Sequence, residues 1–354
     1  NARRDIIEEL GGSQDTEDAV KRALDWFTRV QLRGGSWEAV GGHEAATTGL
    51  AMLAYMGYGA KHTWSLEEQQ QLALITKKQN EQPANPGRVG TLQPANPKGK
   101  INKPVKNAEL THYQKPLAKA VEWLLRIEKN GDLRGPRGDM YDHGIAAIAL
   151  AEAYSLTKDP RLRQPLERVV AFTVRAQNPK TGGWRYRTYQ ENPRERGDLS
   201  VTGWQLMALK SAELGGLSVP PKTFARVRSF MDYVGTGKNR GDYRYFPRFD
   251  KRHAMIAEGM FCQQLLGLPP SHSRMQETAA KLVPAALPNN ASPNYYYWYY
   301  GSLAMYQHQG TKWNLWNSQM RPILMKRQVK SVRDAGSWAP NGQWGSRAGT
   351  AITT

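Results

Sequence analysis

Three histidines in this sequence stand near carboxylates at segments that read as helix starts. His43 precedes Glu44, His143 follows Asp142, and His253 comes shortly before Glu258. Imidazole titrates near neutral pH, and a carboxylate beside it can orient the ring and stabilise its charged form, so such pairs suit proton transfer. They also occur as plain hydrogen-bonded structure. Asp139, Asp142 and Asp198 have the same two readings, as acids in a site or as N-caps. The run 295–300, Tyr-Tyr-Tyr-Trp-Tyr-Tyr, puts Tyr296, Tyr299 and Tyr300 on about one face of a helix. Turned inward, that face could stabilise a cation or stack on a sugar; otherwise it is packing. Arg185, Tyr186 and Arg187, with Arg244 and Tyr245, read as a basic aromatic rim. Cys262 is the sole cysteine. It excludes an intrachain disulfide and a Cys-rich zinc centre, and it reads as buried packing. No metal or cofactor is expected.

The elements that must position these groups form a repeat. Five small-residue segments read as helices from apolar spacing of three and four: 44–59, 141–158, 198–214, 253–268 and 295–310. Each carries a glycine after a short polar start: Gly49, Gly144, Gly203, Gly259 and Gly301. A sixth start carries Gly349, giving spacings of 95, 59, 56, 42 and 48 residues. Larger amphipathic helices precede five of the six, at 19–31, 116–128, 166–177, 223–234 and 314–328. Between the two helices come turns that end in Trp37, Trp184, Tyr243 and Trp338, with Gly131 in the second. Gln31, Gln177 and Gln328 precede the tryptophans. The expected fold is all-α, an (α/α)6 toroid over 19–354, with 1–18 as an N-terminal extension. Residues 65–108 read as an insertion: a helix at 65–80, then a Pro-, Gly-, Asn- and Lys-rich loop that suits a solvated arm or basic lid.

These turns resemble the QW repeats of squalene–hopene and oxidosqualene cyclases, and the toroid of protein prenyltransferase β subunits. MYDHGIAAIALAEAY and SVTGWQLMALKSAEL look like bacterial, often planctomycete, prenyltransferase and squalene oxidase repeat proteins. The resemblance implies inner helices around a central cavity. It also implies that the sixth inner helix, cut short here, continues past Thr354. Class II cyclases carry an Asp-x-Asp-Asp acid at an inner-helix start. Aligned on Thr202-Gly203, this chain has Asp198 first, then Ser200 and Val201 in place of the two later acids. The second repeat keeps Asp139 and Asp142 but puts Tyr141 at the acid position. A phenol of pKa about 10 protonates alkenes poorly, so cyclisation by that mechanism is not expected. The prenyltransferase zinc set is absent, because no Asp stands two residues before Cys262.

The chain has a formal charge of +18, which favours anionic partners such as a lipid surface, an acidic glycan or a diphosphate. Nucleic acid is not expected, since charge alone supports it. No apolar run is long enough to span a bilayer. The chain starts at Asn1 without a signal-like segment and reads as a region of a longer protein, so compartment stays open, membrane-associated or extracytoplasmic included. Three functions fit: a toroid binding an isoprenoid or other ligand in its cavity, a non-catalytic protein-interaction scaffold, or a binder or lyase of acidic polysaccharide. The residues carried forward are Asp139, Asp142, His143 and Asp198 as catalytic candidates. The ligand-contact candidates are Tyr141, Ser200, Thr202, His43, Glu44, His253, Glu258, Tyr296, Tyr299, Tyr300 and Arg185.

Overall fold

A computed structural model describes residues 7–9, 11–63, 108–248, 252–340 and 349–354. The expected helix at 65–80 and the basic loop after it fall almost wholly outside the described residues. Among the described residues the chain is all-α apart from one small antiparallel pair, β1 (Gly235–Thr236) with β2 (Asp242–Tyr243).

Two kinds of helix alternate. The amphipathic ones are α1 (Gln14–Val30), α3 (Ala108–Ile127), α5 (Pro160–Ala176), α7 (Pro221–Val234), α9 (Ser273–Leu282) and α11 (Gly310–Arg327). Between them run α2 (Glu44–Tyr58), α4 (Met140–Thr157), α6 (Leu199–Leu214), α8 (His253–Leu265), α10 (Tyr295–His308) and the short α12 (Thr350–Thr353). Of the second set, α4, α6 and α8 are buried around their circumference. In α4 every residue from Asp142 to Ala151 is buried, which needs neighbours on all sides. Those neighbours are known: α2 packs on α4, α4 on α6, α6 on α8, α8 on α10, and α12 on α2. Small residues allow the close approach. A Cβ at Gly49 would lie 2.9 Å from the Ile145 carbonyl oxygen of the next helix.

α1 starts at Gln14, with Ser13 and Thr16 forming its capping box, so it begins inside the segment read as an extension. α9 is a helix that the repeat pattern did not pick out. Its ten residues are short, and no Gly-x-Trp turn follows it.

The glutamine and tryptophan of each full turn do the same work three times. Gln31 Nε2 donates to the Gly35 carbonyl of its own turn and to Pro116 O on α3. Gln177 does so to Gly182 O and to Thr223 O on α7. Gln328 does so to Gly336 O and to Ala19 O on α1. The indoles of Trp37, Trp184 and Trp338 donate back to Phe27, Thr173 and Leu324 carbonyls in the helix just ended. Their backbone N–H groups donate to the hydroxyls of Thr48, Thr202 and Thr354. The last bond aligns Thr354 with Thr48 and Thr202. Gly349 is therefore the N-cap of α12, not the counterpart of Gly49 and Gly203. Its φ of 85° is the left-handed conformation that glycine tolerates.

Candidate functional site

Side chains at or near the starts of α2, α4, α6, α8 and α10 interact from helix to helix. Asp142 joins α2 to α4. Its Oδ1 accepts the Ala46 N–H at 3.0 Å, which satisfies the start of α2, while Oδ2 accepts the Asp139 N–H at 3.1 Å. Oδ2 also lies 2.7 Å from Nδ1 of His43. That hydrogen bond to buried Asp142 holds the half-buried imidazole above its ordinary pKa, against the opposing effect of burial. Asp139 caps α4 through the Tyr141 N–H at 2.7 Å, and burial pushes its carboxyl up. His43, Asp139 and Asp142 bring three ligand-type atoms within 4.8 Å of one another, a set that could grip a divalent cation. In this structure the two carboxylates already serve as caps, so the set has a sufficient structural role.

The next group joins α4 to α6. The Tyr141 hydroxyl donates to Ser200 Oγ at 2.5 Å, and Ser200 donates to Asp198 Oδ1 at 2.7 Å. Asp198 also caps α6 through the Val201 N–H at 2.9 Å, and its Oδ2 accepts from Arg185 at 3.1 Å. Burial raises the Asp198 carboxyl above its usual range, while the Val201 N–H, Ser200 and Arg185 pull it back. The Arg185 guanidinium lies 5.1 Å above the Tyr186 ring and 5.7 Å from that of Tyr245, and the two tyrosine hydroxyls are 2.7 Å apart. Tyr141 and Tyr186 bring their ring centres to 5.9 Å. Burial raises all three phenols, so they are proton-bearing groups near neutral pH.

The third group joins α6, α8 and α10. Glu258 is wholly buried. Tyr296 donates to its Oε2 at 2.9 Å and also reaches the Ser200 carbonyl oxygen at 3.5 Å. Burial pushes the Glu258 carboxyl well above its usual range, which favours its neutral form. Tyr299 stacks on Trp204, with ring centres 5.3 Å apart, and buried Tyr300 packs edge-on to the same indole. These rings fill the space between α6 and α10.

The structure thus brings together Asp139, Asp142, His43, Tyr141, Asp198, Ser200, Arg185, Glu258 and Tyr296. It directs others elsewhere. His143 is buried in the wall: Nδ1 accepts the Leu133 N–H at 3.3 Å, and Nε2 lies 2.7 Å from Thr173 Oγ1. That is the bond Thr48, Thr202 and Thr354 make in the other turns, so His143 replaces a structural threonine. Burial lowers its pKa to about 4. Thr202 is held by the Trp184 N–H and the Asp198 carbonyl. His253 is exposed beside Tyr297. Glu44 is half-buried in the first turn of α2. Trp204 is a central residue that the sequence reading passed over; its signal was the position directly after the repeat glycine Gly203.

No family model, curated protein or solved structure matches this chain.

Proposed function

We propose that the chain is an α/α toroid of six helical hairpins that binds a small ligand at the mouth formed by the inner-helix N-termini. The toroid reading is supported by Gln328 and Gly336. They make with α1 the contacts that Gln177 and Gly182 make with α7, which joins the last hairpin to the first. If the ring closes there, Gln328→Ala should destabilise as much as Gln177→Ala. Each removes two buried hydrogen bonds and leaves carbonyls unsatisfied, about 2–3 kcal/mol in urea titrations, and Gln328→Ala also loses the bond its Oε1 accepts from Arg22. A negligible effect of Gln328→Ala beside a large one of Gln177→Ala would count against closure.

One observation carries the ligand-binding reading: the hydrogen-bonded chain Tyr141–Ser200–Asp198 beneath half-buried tyrosines. Where a class II cyclase has its acid, this chain has a serine hydroxyl donating into Asp198, so the proton is committed. Trp204, Tyr299 and Tyr300 take up central space that a folded polyene would need. The half-buried rings of Tyr141, Tyr186, Tyr245 and Tyr296 and the polar groups beside them suit a small ligand rather than a long polyene. The anionic-ligand alternative has less support, because Asp139, Asp142 and Asp198 already use the helix N–H groups an anion would seek. Incubation with squalene and with prenyl diphosphates is expected to give no product. Saturation-transfer NMR with small polar ligands should show contact that Tyr141→Ala abolishes. Cyclised product, or contact unaffected by that substitution, would sink the proposal.

A further inference from the structure

The mouth divides into two halves of like chemistry. In one, buried Asp198 sits beside the rings of Tyr186 and Tyr245, and the chain's own Arg185 guanidinium rests on both rings with Asp198 as its counter-ion. In the other, buried Glu258 sits beneath Tyr296, next to Tyr141 at Ser200. This half has the acid and the rings but, among the described residues, no cation against them. Glu258 Oε1 is buried beside the Tyr300 hydroxyl, with no cationic partner among the described residues. A carboxyl with no counter-ion in a dry site holds its proton, because ionising it there is costly. Tyr296 is half-buried, and its hydroxyl is the group that reaches Glu258.

We infer that the mouth takes an organic ammonium ion, seated on the Tyr296 and Tyr141 rings, with Glu258 as its counter-ion through the Tyr296 hydroxyl. The inference rests on the reading of the mouth as a ligand site and names the class of ligand. A weakly hydrated ammonium suits rings and a single carboxyl, whereas a hard metal ion demands several oxygen ligands. Binding has a balanced proton step. The Glu258 O–H bond breaks, its proton passes to solvent, the Tyr296 hydroxyl donates to the carboxylate formed, and the ammonium supplies the positive charge. The other groups facing Glu258 are Tyr141 on α4, Asp198 on α6, Cys262 on its own helix and Tyr300 on α10. None of these is a cation.

Three probes of one shape test this on the full chain by titration calorimetry: choline, 3,3-dimethylbutanol and 3,3-dimethylbutanoate, at constant ionic strength and in two buffers of different ionisation enthalpy. Choline is expected to bind with proton release, about tenfold or more tighter than the neutral alcohol, as a cation–π contact of 1–2 kcal/mol requires. Glu258→Gln should abolish the proton release and weaken choline, and Tyr296→Phe should weaken it without depending on the fold of the first variant. Equal binding of choline and the alcohol, choline binding with no proton released, or tighter binding of the carboxylate would overturn the ammonium assignment and leave the mouth as a ligand site. Silence from all three probes would overturn the ammonium assignment. Loss of the Tyr141-dependent NMR contact besides would bring down the ligand site too.

Discussion

The Glu258 carboxyl occupies the space a side chain at Gly203 would need: a Cβ there would lie 2.1 Å from Oε1 and 2.9 Å from Cδ. The glycine of α6 therefore makes room for the acid of α8. Gly203→Ala gains helix propensity but forces a wholly buried carboxyl to move among packed rings. The expected net cost is about 1–3 kcal/mol in urea denaturation. In a Glu258→Ala background the cost should shrink, because the displaced atoms are gone. A cost unchanged by removing Glu258 would show that something else crowds the site.

Glu258→Gln should stabilise the free chain in alkaline conditions. The folded-state pKa of Glu258 lies well above its unfolded value near 4.5, so the fold keeps a proton that the unfolded chain releases. Stability falls as pH rises from the unfolded pKa toward the folded one. Glutamine has no proton to lose. The variant and the parent should be alike near pH 4 and diverge as pH rises, in favour of glutamine. Parallel Tm profiles across that range would contradict the buried neutral acid.

The turn glycines give a controlled pair. Gly182 has φ +83° and lies against the next outer helix, where a Cβ would meet the Arg226 carbonyl oxygen at 2.0 Å. Gly216 has φ +93° with nothing within 4 Å of such a Cβ. Gly216→Ala should cost only the left-handed conformation, about 1–2 kcal/mol. Gly182→Ala should cost about 1–3 kcal/mol more, since a helix backbone cannot step aside as a side chain can. Chemical denaturation of the two variants measures the difference, and equal costs would mean the turn does not press on α7.

His143 and His43 have opposite pH signatures. His143 is held neutral with a folded pKa of about 4, so its contribution is present above pH 6.5 and lost as pH falls through 6.5 toward 4. That loss amounts to about 3 kcal/mol. His143→Thr, the residue found at this point in three other turns, should flatten the acid slope even while leaving a cavity. His43 has a raised folded pKa. Its bond to Asp142 stabilises below pH 6.5 and fades as pH rises through the folded value. His43→Gln should remove that alkaline decline. Melting curves from pH 4 to 9 would separate the two, and an acid slope unchanged in His143→Thr would refute the first assignment.

Most of the helices were legible as periodic runs, because apolar spacing and caps are local signals. α9 marks the edge of that legibility. α9 was missed because a ten-residue helix without a following Gly-x-Trp turn leaves too little pattern to count. Gly349 was misplaced for a related reason: short small-residue starts look alike until the Trp338–Thr354 bond sets their register.

The site was harder to read. The sequence by itself determined the helical character, the alternation of amphipathic and small-residue helices, and the Gln, Gly and Trp of the turns, all through contacts near in the chain. It also supplied the right chemical types. Only the tertiary structure decided which of them meet. His143 and Asp142 are neighbours in sequence, yet one turns into the wall and the other caps α2, because successive helix positions differ by about 100° in direction. Glu258, Tyr296 and Ser200 lie far apart in sequence and converge because the glycines set how closely α6, α8 and α10 approach. That convergence, and the buried acid without a cation that results, is a property of packing and has no local signature.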